Sequence, residues 1–87
     1  MIEMFVNDTY NVLSYLYGKM DSTYLIKITQ SEIANDLNLS RVTINGIFKQ
    51  LKENKFLIHD DSRIGRYYLT EKAVLTIKLF NDIKDIK

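Results

Sequence analysis

The chain has no cysteine, no proline and a single histidine, His59, in 87 residues. Without cysteine it can form no disulfide and has no thiolate nucleophile, and one histidine falls short of the usual zinc ligand sets. No uninterrupted apolar run exceeds three residues, and the first ten residues have no basic stretch followed by an apolar block. These absences predict no metal site, no membrane span and no signal peptide. We therefore expect a cytoplasmic protein.

The formal net charge of the chain is only +1, but its positive charge is concentrated in one segment. Residues 1–25 sum to −2, from Glu3, Asp8 and Asp21 against Lys19. Residues 41–55 sum to +3, from Arg41, Lys49, Lys52 and Lys55 against Glu53. At roughly 100–200 residues per domain the length allows one domain, and the 46% hydrophobic content is enough for a core.

The first segment predicts a helix that ends near Gly18, because its apolar residues fall mostly three and four positions apart. Asp8 offers a cap for a shorter version of this helix. A turn at residues 21–23 and a short β-prone run at residues 24–28 follow. The run predicts one strand of a small sheet.

Two short helices joined by a three-residue turn are predicted between Thr29 and Asn54. Thr29 and Glu32 have the spacing of a capping box, in which each side chain satisfies the backbone N–H of the other residue. Asn38 stands where the chain must leave the first helix, and asparagine tolerates the left-handed conformation that such a position requires. Ser40 is placed to cap the second helix.

Beyond the second helix the apolar pattern alternates, which predicts a β-hairpin over residues 56–69. Phe56 and Ile58 can share one side of the hairpin, as can Tyr67 and Leu69. A capped helix over residues 71–86 closes the chain. The predicted fold is one domain, residues 1–87, mainly α with a small antiparallel sheet (α+β), in the order α-β-α-α-β-β-α.

The helix-turn-helix, about residues 29–54, resembles the winged helix-turn-helix family of bacterial DNA-binding proteins, which includes MarR-like regulators. The packed positions of that family are matched by Ile33, Ala34, Leu37, Leu39, Ser40, Thr43, Ile44, Phe48 and Leu51. Residues 56–58 and 68–70 resemble the strands of its wing and the start of its closing helix. The resemblance covers about residues 29–73 and implies a winged-helix fold that binds double-stranded DNA.

Two features depart from the family pattern. Asn38 stands where the family usually has glycine, and the predicted wing tip carries Asp60 and Asp61 beside Arg63 and Arg66, where family members tend to be basic. Aspartate carboxylates commonly bond to loop backbone, so we interpret both acids as turn-forming residues.

The outer face of the second predicted helix is the candidate DNA-reading surface, since 100° per residue places its polar side chains opposite the apolar ones. Asn45 and Gln50 can pair with adenine, Val42 can contact a thymine methyl, and Arg41 and Lys49 can bind phosphate or guanine. Gly46 either allows DNA to approach closely or is a tolerated accident. The predicted DNA-binding residues are Ser40, Arg41, Val42, Thr43, Asn45, Gly46, Lys49, Gln50 and Arg63, the last at the wing tip.

The leading functional hypothesis is sequence-specific DNA binding by a small transcription regulator. The same helix would serve a replication, excision or partition accessory protein of a mobile element. A third alternative is a protein-interaction module with this fold and no DNA binding. The sequence predicts no enzyme and no cofactor, because it contains neither an acid-base or nucleophile pair nor a glycine-rich phosphate loop. Any small-molecule effector is left open.

The last helix predicts a homodimer, because its apolar surface is too wide for one core. Ala73, Ile77 and Phe80 point one way, and a second stripe holds Leu75, Leu79 and Ile86 at spacings typical of a helix-helix seam. Ile83 lies between the two groups, and the predicted dimer interface is Leu75, Leu79, Ile83 and Ile86. The alternative is that the first helix wraps far enough to cover both stripes.

Overall fold

The computed structural model describes residues 8–60 and 62–85, and their elements follow the predicted order. The helices are α1 (Asp8–Lys19), α2 (Gln30–Leu37), α3 (Arg41–Glu53) and α4 (Glu71–Asp85). The strands are β1 (Leu25–Lys27), β2 (Leu57–His59) and β3 (Arg66–Leu69). Over these residues the predicted α+β fold is confirmed, and none of the helices there has the length and apolar content needed to cross a membrane.

The sheet is antiparallel, with β3 in the centre and β1 and β2 at the edges. Ile26 lies opposite Tyr67, and Leu57 lies opposite Leu69. All four of these side chains are buried, so one face of the sheet belongs to the core. The other face is exposed or half-buried.

The prediction that Phe56 and Ile58 share one side of the hairpin is wrong. Phe56 precedes the strand and packs partly buried against the core, whereas Ile58 is 54% exposed on the outer face. The cause is the end of α3, where Lys55 takes the left-handed conformation with φ 63° and the Phe56 N–H donates to the carbonyl of Leu51. This turn makes Leu57 the residue that β2 buries.

The helix-turn-helix is held by the capping interactions that the sequence predicts. The Glu32 N–H donates to Thr29 Oγ1 over 3.2 Å, and the Thr29 N–H donates to Glu32 Oε1 over 2.9 Å, which completes the capping box. Asn38 is left-handed with φ 57° and ψ 44°, and its N–H donates to the carbonyls of Ala34 and Asn35. Asparagine therefore makes the turn where the family usually has glycine.

Helix α1 is tied to α2 and α4 by tyrosine side chains. The Tyr15 hydroxyl donates to the carboxylate of Asp36 on α2, and burial together with this carboxylate raises the pKa of Tyr15 to about 12. The Tyr10 hydroxyl donates to Asn81 Oδ1 on α4 over 3.2 Å, and its ring packs against Phe80. These contacts hold α1 against α2 and α4.

Helix α4 buries one side and exposes another. Its inner side chains Ala73, Val74, Ile77 and Phe80 are buried, while Leu75 is 59% and Leu79 is 62% exposed. Within residues 8–60 and 62–85, α1 therefore leaves Leu75 and Leu79 in solvent. The predictions for the other two interface residues are not tested, because Ile86 and the side chain of Ile83 lie outside the described residues.

Candidate nucleic-acid interface

The rotation of α3 is fixed by its buried side. Ile44, Ile47, Phe48 and Leu51 are all buried in the domain core, and the ring of Phe48 meets Tyr67 of β3 edge to face at 5.0 Å between centroids. Truncating a buried isoleucine, leucine or phenylalanine to alanine typically lowers the free energy of unfolding by about 2–5 kcal/mol. Rotation of α3 would disrupt the same contacts, so the packing holds the helix in one orientation. The opposite side is consequently held towards solvent in one orientation.

That outward side carries six of the residues predicted to bind DNA. Arg41, Val42, Asn45, Gly46, Lys49 and Gln50 are all exposed. Val42 is 83% exposed, an unusual position for a valine on a helix that already buries four apolar residues. Across residues 8–60 and 62–85, no side-chain hydrogen bond engages Asn45 or Lys49. Their polar groups are available to a ligand.

Ser40 and Thr43 form the cap at the beginning of α3. Ser40 Oγ accepts from the Thr43 N–H over 3.0 Å and donates to Thr43 Oγ1 over 2.8 Å. The Ser40 hydroxyl therefore has a partner within the protein, and the DNA contacts expected of Ser40 and Thr43 stay predictions. Apart from that of Thr43, the first-turn N–H groups of α3 point out of its N-terminus, the end of a helix that attracts anions.

Gly46 has no packing reason to be glycine. Among the residues that the structure describes, a Cβ placed there would meet no atom within 4 Å, and Gly46 is exposed in the interior of α3. Because the protein itself would accept alanine at this position, any need for a small residue must come from outside the molecule.

Arg63 lies apart from the α3 face, on the hairpin that forms the wing. It lines a cavity of about 330 Å³ on the outer side of the sheet together with Lys27, Arg66 and Asp60. Lys27 and Arg66 are register partners on β1 and β3. Three cations and one acid therefore line this cavity.

Asp60 has the turn-forming role that we expected of it. Its Oδ1 accepts from the Ser62 hydroxyl over 2.6 Å and from the Ser62 N–H over 3.1 Å. These hydrogen bonds, with a smaller contribution from Arg63, hold the pKa of Asp60 below its usual value. Asp61 lies outside the described residues.

Sequence reasoning missed Lys27, Arg66 and Ile64 as candidate site residues. Lys27 and Arg66 are 39 positions apart along the chain, and only the pairing of β1 with β3 brings them together. Ile64 is 91% exposed at the wing tip. Its place between Arg63 and Gly65 was the available signal, because an isoleucine in a polar loop is unusual.

Comparison with known proteins supports the fold. The chain is similar to a solved structure of an S. aureus MepR mutant bound to an oligodeoxyribonucleotide, with a TM-score of 0.72 and 24% sequence identity. The match covers 91% of this chain and 57% of that one, so the chain spans just over half the length of this neighbour. No family model and no curated protein matches the sequence. The structural match confirms the winged helix-turn-helix architecture.

Proposed function

We propose that the chain binds double-stranded DNA in a sequence-specific manner and acts as a small transcription regulator. The observation that carries this proposal is the outward face of α3, where exposed Val42, Asn45 and Lys49 project from a helix whose orientation is fixed by the core. An α-helix fits the major groove, which is about 12 Å wide. The DNA bound by the structural neighbour supports the same assignment.

The side chains of this face have complementary tasks in the proposed complex. Asn45 pairs with the N6 and N7 edge of an adenine, and Val42 contacts a thymine methyl group. Lys49 and Arg41 neutralise phosphates or contact guanine, and Gln50 adds a second amide for base contacts. In this proposal Ser40 and Thr43 set the start of the helix, and Gly46 lets the helix approach the base pairs. Arg63 contacts the DNA from the wing.

The proposal includes a cytoplasmic homodimer formed through α4. Leu75 and Leu79 are more than half exposed and lie four residues apart on one side of that helix. A partner helix would remove them from water, and we assign Ile83 and Ile86 to the same seam. A two-fold dimer presents two copies of α3 to half-sites about 34 Å apart, which raises affinity above that of one module.

The test is a selection of duplexes from a random-sequence pool by the wild-type chain, followed by affinity measurements on the enriched duplex. Asn45→Ala and Val42→Ala are each expected to lose about 1–3 kcal/mol on this duplex and little on unrelated DNA. The matched control is Asn11→Ala, because Asn11 is exposed on α1, away from the proposed face. It is expected to bind as the wild type does.

Two outcomes contradict the assignment. If the pool shows no enrichment and no duplex binds, the chain is not a DNA-binding protein, and the protein-interaction alternative takes its place. If a duplex is enriched but Asn45→Ala and Val42→Ala bind it as Asn11→Ala does, the face of α3 is not the reading surface.

A further inference from the structure

The tip of the wing presents an apolar side chain to solvent. Ile64 is 91% exposed, more than any other large apolar residue that the structure describes. It follows Arg63 and precedes Gly65, so it stands beside a cation at the outermost part of the hairpin. An exposed isoleucine contributes nothing to the core, so its side chain is available to contact another molecule.

The backbone that carries Ile64 is held in place. Gly65 has φ +74°, a conformation that other L residues rarely adopt, and its carbonyl accepts from the Ile28 N–H over 2.9 Å. A Cβ at Gly65 would lie 3.3 Å from the Ile28 carbonyl oxygen. On the other side of the tip the Arg63 N–H donates to the Asp60 carbonyl over 3.1 Å. The tip is therefore pinned to the residues just before α2.

Ile64 also faces the helix-turn-helix. It lines a groove of about 260 Å³ with the first residues of α2, Gln30 and Ser31, and with Arg41, the first residue of α3. A separate cavity on the outer side of the sheet is lined by three cations, Lys27, Arg63 and Arg66, and by Asp60. An apolar tip flanked by cations, beside the start of the proposed reading helix, is complementary to a nucleic-acid groove.

We propose that Ile64 is an apolar wedge that enters the minor groove next to α3 and partly unstacks one base step. This inference rests on the proposed DNA binding. The minor groove is about 6 Å wide, and apolar side chains inserted between base pairs are a known means of bending DNA. Isoleucine cannot form hydrogen bonds with base edges. Its contribution to the free energy of binding comes from apolar contact with exposed base faces. Flexible base steps such as TA and CA are the easiest to unstack, so we expect the wedge at a step of this kind.

The test uses the duplex enriched by the wild-type chain, with 2-aminopurine placed at successive positions, one duplex for each position. The base fluoresces more strongly when it is unstacked, and the bend is followed by energy transfer between dyes at the duplex ends. The variants are Ile64→Ser, which removes the apolar side chain, and Ile64→Leu, which keeps it. The matched control is Ile58→Ser, since Ile58 is exposed on the same hairpin but does not line the groove.

Wild type, Ile64→Leu and Ile58→Ser are expected to raise the fluorescence at one step and to bend the duplex. Ile64→Ser is expected to lose both signals and to bind about tenfold more weakly, while its thermal unfolding stays unchanged because the side chain is exposed. Binding by the wild type without a fluorescent step, or an Ile64→Ser variant that keeps both signals, overturns the wedge alone. A wild type that binds no duplex overturns the proposed function and the wedge together.

Discussion

Substitution of Gly46 by alanine should move stability and DNA affinity in opposite directions. Glycine in a helix interior is less favourable than alanine by about 0.5–1 kcal/mol. An added Cβ at Gly46 meets no atom of residues 8–60 and 62–85 within 4 Å, so no clash with them offsets this gain. We therefore expect Gly46→Ala to be more stable by about 0.5–1 kcal/mol, which for a domain of this size raises the melting temperature by about 2–8 °C. If Gly46 allows DNA to approach α3 closely, the same variant should bind the enriched duplex more weakly than the wild type does.

Thermal unfolding followed by circular dichroism measures the first effect, and fluorescence anisotropy with labelled duplex measures the second. Gly18→Ala is the matched control, because a Cβ there also meets no atom within 4 Å and Gly18 lies on α1. It is expected to leave DNA affinity unchanged. A Gly46→Ala variant that is less stable than wild type would refute the described environment of α3. One that is more stable and binds DNA normally would show that the glycine is a tolerated accident.

Three further substitutions test the wing, the seam and the contact between α1 and α2. Arg63→Ala should lose affinity mainly on A·T-rich flanks, where the minor groove is narrow, and an equal loss on all flanks would reduce Arg63 to a phosphate contact. Leu79→Lys should sediment as a monomer at micromolar concentration; a wild type already monomeric there would end the dimer proposal, and a dimeric variant would move the interface away from Leu79. Tyr15→Phe should lower the free energy of unfolding by about 0.5–1.5 kcal/mol below pH 10. Because the pKa of Tyr15 is raised from 10.0 to about 12, this difference should disappear between those pH values, and urea unfolding in which it persists at pH 12 would contradict the Tyr15–Asp36 bond.

The features that the sequence predicted well depend on residues close together along the chain. Thr29 and Glu32 are three positions apart, and Ser40 lies three positions before the N–H that it accepts from, so local spacing was enough to place both caps. The outward face of α3 followed from 100° per residue, because the apolar side chains of this helix all belong to one core.

The features that the sequence did not predict depend on contacts between distant residues. The alternation of apolar residues cannot say where β2 begins, and the left-handed turn at Lys55 puts Leu57 rather than Ile58 on the buried side. Lys27 and Arg66 share a site only because β1 pairs with β3. The exposure of Ile64 depends on the turn that holds Gly65 against Ile28.

The salt dependence of binding to the enriched duplex shows whether α3 docks on DNA. The logarithm of the association constant should fall linearly with the logarithm of salt concentration, with a slope of about −0.9 for each phosphate neutralised. Lys49→Ala should reduce that slope by about one phosphate, whereas Lys19→Ala, an equal change of charge at an exposed residue of α1, should leave it unchanged. A slope near zero for the wild type, or the same slope for wild type and Lys49→Ala, would mean that the outward face of α3 does not dock on DNA.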